Sequence, residues 1–252
     1  MLDRDRFTWR RGLSRLSQFP NFQRSTVAPF PIVVLCSGRG SNLQALIEAV
    51  RAGTIAAEIR AVVSDKPKCF ALERARAAGI ATHALRARDF ADRTAFDRVL
   101  FAEVARYEPR LVVLAGYMRV IDAGVVAAWR GRMLNIHPSL LPKYPGLHTH
   151  ASALAAGDAL HGSSVHYVTA ELDGGPVVAQ AELPVEAGDD ADTLAARLLP
   201  LEHRLLVASV ALIAAGAIEL GEDDVVRYCD APLATPLWLG PDGKLRRERG
   251  DA

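Results

Sequence analysis

An α/β fold built on an open, mostly parallel, twisted sheet is what this sequence predicts, on three observations. Continuous apolar runs of strand length occur at 32–36 and 111–115, without the polar alternation of a half-exposed strand, and 133–136 is apolar but for Asn135. Segments with helical spacing separate them, the mark of βαβ units with right-handed crossovers. The 252 residues are 50% hydrophobic and 23% charged, a globular composition that fills one large core and excludes a largely disordered chain.

Taken in order, Ile32–Cys36 reads as the first strand. Leu43, Leu46, Ile47 and Val50 follow at helical spacing, with Gly53 as the stop. Ile59–Ser64 is a second strand, 69–78 a helix ending at Gly79, and Ile80–Leu85 a third strand. Phe90 to Tyr107 has helical spacing at Phe90, Phe96, Val99, Leu100 and Val104. Leu111–Ala115 and Met133–Ile136 are buried strands. After a loop rich in Pro and His at 137–150, a short helix is expected at 150–156. Ser163–Val168 and Val177–Leu183 read as strands joined through Asp173-Gly174-Gly175-Pro176, a turn suited to antiparallel neighbours. A long helix over Ala191–Ala215 closes the domain. The pattern is Rossmann-like, with helices flanking the sheet and an antiparallel portion in the C-terminal half.

Three segments are expected: a basic, flexible arm at 1–30, with six Arg against two Asp; a catalytic domain at 31–220; and a small hairpin and frayed tail at 221–252. A formal net charge of +1 offers no electrostatic footprint for nucleic acid, and no apolar run approaches the length of a membrane span. Cys36, Cys69 and Cys229 are too few and too scattered for a disulfide framework or a metal knuckle, so a reducing, cytoplasmic setting is expected. His148 and His150 have a spacing compatible with a metal, but no carboxylate or Cys cluster accompanies them, and none is expected.

Three motifs carry chemistry. Ser37-Gly38-Arg39-Gly40-Ser41-Asn42 joins a strand to a helix, where a tight backbone and free helix N–H groups suit a phosphate. It is neither a Walker loop nor a dinucleotide fingerprint, so a monophosphate fits better than a pyrophosphate. Without a ligand, the same loop is a plain βα turn with Ser41 as N-cap. Asn135 and His137 stand two residues apart at the end of a predicted strand, so both leave one face. Asn can donate to an oxyanion, and His can donate or shuttle a proton. Asp173 lies in a tight turn, and its function depends on meeting His137 in space. Gly-x-Ser-x-Gly is absent, and no Ser or Cys nucleophile has a positioned base, which argues against an acyl-enzyme.

Together the segments 32–44 (IVVLCSGRGSNLQ), 113–121 (VLAGYMRVI), 134–150 (LNIHPSLLPKYPGLHTH) and 171–180 (ELDGGPVVAQ) resemble the phosphoribosylglycinamide formyltransferases, folate-dependent enzymes of purine synthesis, over about 32–220. Asn-x-His with a downstream Asp is shared by the wider formyl-tetrahydrofolate family; the glycine loop and the Pro-rich His segment are more specific. The resemblance implies the formyltransferase fold, with 10-formyltetrahydrofolate as co-substrate and no metal. It implies small-molecule substrates, no nucleic-acid or membrane partner, and a monomer or homodimer.

Residue by residue, it implies that Gly40, Ser41 and Asn42 hold the ribose phosphate and that Glu202 contacts the glycinamide substrate. Arg93, Met118, Arg119, Val120 and Ile121 fall on the folate side. Thr169, Ala170, Glu171, Leu172 and Asp173 form a loop over the pterin. Asn135, His137 and Asp173 match the catalytic trio, with a protonated His137 kept charged by Asp173 and Asn135 also counted on the folate side. The sequence departs from the family pattern at Arg39, inside the phosphate loop, and at Leu199-Pro200, where a polar residue is expected before Glu202. Three rivals remain: a deformylase, expected to carry an N-terminal regulatory domain; a methionyl-tRNA formyltransferase, expected to carry a C-terminal RNA-binding domain; and a binder without chemistry.

Overall fold

The computed structural model describes residues 28–249; most of the predicted basic arm at 1–30 lies outside them. Five parallel strands open the chain: β1 (Phe30–Leu35), β2 (Ala57–Ser64), β3 (Ala81–Ala84), β4 (Leu111–Leu114) and β5 (Met133–His137). The chain moves outward from β1 to β3 and then returns to place β4 and β5 on the other side of β1. That reversal opens a crevice beyond the C-terminal ends of β1 and β4, where ligands of open α/β sheets sit.

The uninterrupted apolar runs follow from burial on both faces. Ile32, Val34 and Cys36 point into one core, together with Leu43, Leu46 and Ile47 of α1 (Ser41–Arg51), Leu72 of α2 (Phe70–Ala77) and Leu205, Leu206 and Val210 of α6 (Ala191–Ala214). Val33 and Leu35 point into the other, with Phe96, Leu100 and Val104 of α3 (Arg93–Ala105) and Val125 and Val126 of α4 (Ala123–Ala128).

Helix starts differ from the sequence reading where side-chain caps decide them. α3 begins at Arg93, not near Phe90, because the Asp92 carboxylate accepts from Ala95 N and a 3₁₀ turn occupies 87–89. α4 is too short to show a helical period and was not expected; the Asp122 carboxylate caps it. A reciprocal Asp190–Thr193 capping box starts α6. Pro200 lies inside α6 and removes one backbone donor there.

β6 (Leu160–Tyr167) adds antiparallel to β5, and β7 (Val177–Pro184) adds antiparallel to β6, as the turn between them suggested. The α5 helix (Thr149–Ala155) fills the loop between β5 and β6. Beyond α6, β8 (Ile218–Leu220), β9 (Val226–Tyr228) and β10 (Ala231–Pro232) make a small separate sheet. The chain then returns: β11 (Leu237–Leu239) pairs parallel to β7, and β12 (Leu245–Arg246) finishes the edge of the nine-stranded sheet. Ile218, Val226, Leu237 and Leu245 all enter the first core. The segment expected as a hairpin and frayed tail thus contributes two strands to the main sheet, because its few large apolar residues have a sheet edge to cover.

Candidate functional site

The loops after β1 and β4 are tied together at the crevice. Ser37 N donates to the Gly116 carbonyl at 3.0 Å, Met118 N donates to Ser37 Oγ at 2.9 Å, and that hydroxyl donates to Asp65 at 2.6 Å. Beside this junction lies a cleft of about 600 Å³, walled by 116–121, 135–138, 146–150 and 169–173. Met118, Arg119, Val120, Ile121, Asn135, Thr169, Ala170, Glu171, Leu172 and Asp173 all line it, as do His137 and His166. Among the described residues, four of the seven exposed large hydrophobics (Met118, Val120, Leu147 and Leu172) sit on its walls. Apolar groups held in solvent around one cleft fit a flat heteroaromatic ligand. Arg93 does not line the cleft; it is the first residue of α3, and its charge acts on Asp97 and Asp122.

Asn135 and His137 leave the C-terminal end of β5, and the loop after β6 folds back to bring Asp173 to both. Asn135 Nδ2 donates to Asp173 Oδ1 at 3.4 Å, and His137 Nδ1 stands 3.4 Å from Asp173 Oδ2. Gly146 N donates to that same oxygen at 2.8 Å and fixes the carboxylate. His137 Nε2 donates to the Tyr144 carbonyl at 2.8 Å. Tyr144, His148 and Asp173 all hold positive φ (55°, 62° and 51°). Three non-glycine residues in the left-handed region around one cleft, at about 1–2 kcal/mol each, show a backbone held in place by its surroundings.

His166 belongs to this group, and the sequence reading missed it. It is the cross-strand partner of Asn135 in the β5–β6 ladder. His166 Nδ1 donates to the Tyr167 carbonyl at 2.9 Å, which leaves Nε2 to accept from Asn135 Nδ2 at 3.1 Å. Both amide hydrogens of Asn135 are therefore engaged before any ligand arrives. Only the strand register reveals this pair; nothing local to Val165-His166-Tyr167 signals it.

The electrostatics differ from expectation at His137. Burial pushes its imidazole below the ordinary value; the Tyr144 carbonyl and the Asp173 carboxylate pull it back only in part, and His166 adds to the lowering. The net direction is thus opposite to the one the Asp173 carboxylate alone would set. Burial raises Asp173, but the His166 ring, the Gly146 N–H and the His137 ring outweigh it, and the carboxylate stays ionised.

The phosphate loop lies apart from the cleft lining. Gly40, not Ser41, is the N-cap of α1, at φ 73°, with no side-chain cap. Asn42 Nδ2 donates to Glu202 on α6 at 3.3 Å, which joins the residues the resemblance placed on the substrate side. Burial raises the Glu202 carboxyl, and the Asn42 amide offsets this in part. Leu199 and Pro200, which precede it in α6, carry no polar side chain. His150 Nδ1, in α5, lies 2.9 Å from His161 Nε2 in a hydrogen bond, and no group of three His, Cys, Asp or Glu among the described residues stands close enough to hold a metal.

An open α/β sheet thus brings an amide, an imidazole and a carboxylate together at its crevice, with a glycine-rich loop opening α1 set apart from them. The formyl transferase family model matches residues 31–210, and the chain belongs to that family. The phosphoribosylglycinamide formyltransferase of Escherichia coli K12 is 54% identical over 192 residues, 76% of this chain and 91% of that protein. Its counterpart from Mycobacterium tuberculosis is 44% identical over 187 residues, 74% of this chain and 86% of that one. The solved structure of the Coxiella burnetii phosphoribosylglycinamide formyltransferase in complex with CHES superposes with a TM-score of 0.78 at 47% identity, covering 82% of this chain and 96% of that one.

Proposed function

We propose that this chain transfers the formyl group of 10-formyltetrahydrofolate to the amine of 5′-phosphoribosylglycinamide in purine biosynthesis. The observation that carries this reading is the convergence of Asn135, His137 and Asp173 in a cleft whose walls hold exposed apolar side chains. The similarity to phosphoribosylglycinamide formyltransferases along most of their length supports the choice of acceptor.

The bound co-substrate supplies the formyl carbon; this chain's residues position and polarise. Met118–Ile121 and Thr169–Leu172 enclose the flat ring. Gly40, Ser41, Asn42 and Glu202 seat the acceptor so that its amine faces the cleft. Holding both reactants in line supplies most of the proximity gain, up to roughly 7–11 kcal/mol in well-oriented systems. As the carbonyl becomes tetrahedral, Asn135 turns an N–H from His166 or Asp173 to the oxyanion, and His137 takes up the proton that the attacking amine releases and, as an imidazolium, stabilises the oxyanion. Asp173, already ionised beside Nδ1, stabilises the imidazolium that forms. The amine proton passes, by way of the site's carboxylate and imidazole, to the departing folate nitrogen, so no proton is gained or lost overall. The described residues contain no helix long and apolar enough to cross a membrane, and a small-molecule enzyme of the cytoplasm, monomeric or homodimeric, fits the reading. The domain bounds 31–220, with the arm before and the C-terminal strands after, belong to the same proposal.

The test is loss of the formyl group from 10-formyltetrahydrofolate with and without the ribonucleotide. Turnover only with the ribonucleotide is the expected result. Turnover with water alone makes the chain a deformylase, and binding without turnover leaves the binder reading.

A further inference from the structure

The α1 N-terminus combines a helix end with features that point to a ligand. Asn42 is only 8% exposed, yet its Oδ1 has no hydrogen-bond partner. His203 Nε2, on α6, is also buried and unpartnered. The loop backbone is fixed: Ala71 N donates to the Gly38 carbonyl at 3.1 Å, and Arg74 Nε donates to the Arg39 carbonyl at 3.0 Å.

Three basic groups lie around this point. The Arg74 guanidinium is committed to the Arg39 carbonyl and to Gln44 Oε1, and it stacks on the Phe70 ring at 4.8 Å. Burial holds His203 below its ordinary value, so it is neutral near pH 7. Arg39 is exposed, sits between two glycines with open space at Gly38, and makes no side-chain hydrogen bond or ion pair among the described residues. A phosphate monoester carries close to two negative charges, and a helix end supplies about half a positive charge.

We propose that Arg39 supplies the charge that selects a phosphorylated acceptor over its unphosphorylated form. This rests on the reading of the chain as a transferase acting on a ribonucleotide. The guanidinium closes over the phosphate from the solvent side while the α1 N–H groups hold it from below, and Asn42 Oδ1 accepts from a sugar hydroxyl. Leu199 and Pro200 offer no polar group on the α6 side, so Arg39 takes over the task there.

The experiment compares wild type, Arg39→Gln and Arg39→Lys in two ways. Binding of ribose 5-phosphate is measured by calorimetry, and steady-state kinetics use the ribonucleotide and its dephosphorylated riboside. Arg39→Gln is expected to weaken ribose 5-phosphate at least tenfold and to raise KM for the ribonucleotide by a similar factor. The loss falls on KM, not on kcat. The Lys variant recovers part of it, and the affinity of Arg39→Gln depends less steeply on salt. Ribose 5-phosphate affinity within twofold of wild type overturns the proposal, as does an equal loss with the riboside. If wild type binds ribose 5-phosphate through Arg39 but transfers no formyl group, the functional reading fails and this one stands.

Discussion

Replacing Gly40 by alanine strikes the point where the phosphate loop, α1 and α2 meet. A Cβ there falls 2.7 Å from Ala71 Cβ and 2.8 Å from Ala71 Cα, both well inside contact distance. The backbone stands at φ 73°, which costs an L residue about 1–2 kcal/mol by itself. Relieving the overlap means moving α2 or the loop, and forced overpacking costs about 1–3 kcal/mol more. The expected loss is therefore roughly 2–5 kcal/mol, a large fraction of a domain's stability. Urea unfolding followed by circular dichroism reads it as a lower midpoint with the slope unchanged. Ala71→Gly in the same chain removes the closer atom but leaves Cα and the positive φ, so the double variant regains only part of the steric share. That share is on the order of 1 kcal/mol of coupling in the cycle. Because the loop backbone shifts, ribose 5-phosphate affinity falls in Gly40→Ala and is partly restored with Ala71→Gly. Gly40→Ala unfolding within about 0.5 kcal/mol of wild type, or no coupling with Ala71→Gly, would refute the reasoning.

Three further outcomes are expected. His137→Ala lowers kcat about 100- to 1,000-fold while KM for both substrates changes little, read by steady-state kinetics; near-normal turnover removes His137 from the mechanism. Burial and the neighbouring His150 push the buried His161 down to about 4, so the folded state resists a proton that the unfolded chain accepts below its ordinary 6.5. Stability is then full above pH 6.5 and falls on acidification toward 4, by on the order of 2 kcal/mol at pH 5 from this residue; His161→Gln flattens that slope, and equal midpoints at pH 7.5 and pH 5 in wild type contradict it. Glu202→Gln removes a carboxylate whose pKa burial raises, so it stabilises the fold at pH 8, and the gain vanishes near pH 4, where both states are protonated. Its KM for the acceptor rises, and a melting temperature lower than wild type at pH 8 argues against the burial account.

Much of the fold is legible because the sheet is buried on both faces. Ile32–Cys36 and Leu111–Ala115 are apolar at every position since alternate residues enter opposite cores, and a run of that kind has few other readings. The starts of α3 and the existence of α4 were less legible. Each depends on one aspartate, Asp92 or Asp122, whose carboxylate accepts backbone N–H groups in a geometry that a hydrophobic period does not encode. The C-terminal strands were hidden for a different reason. Leu237 and Leu239 have little local pattern, and their strand exists only because the edge of β7 is there to pair with.

The site divides along the same line. The chain's local order determined the glycine loop opening a helix and the placing of Asn135 and His137 on one face of one strand, since a period of two and a strand-to-helix turn are properties of neighbouring residues. The meeting of Asp173 with both, the place of His166 opposite Asn135 and the lowered pKa of His137 were decided by tertiary structure. The first needs a loop to fold back over the sheet, the second needs the β5–β6 register, and the third needs the burial that only the assembled walls of the cleft provide. Side-chain chemistry is written in sequence, but distance and dielectric are properties of the packed chain.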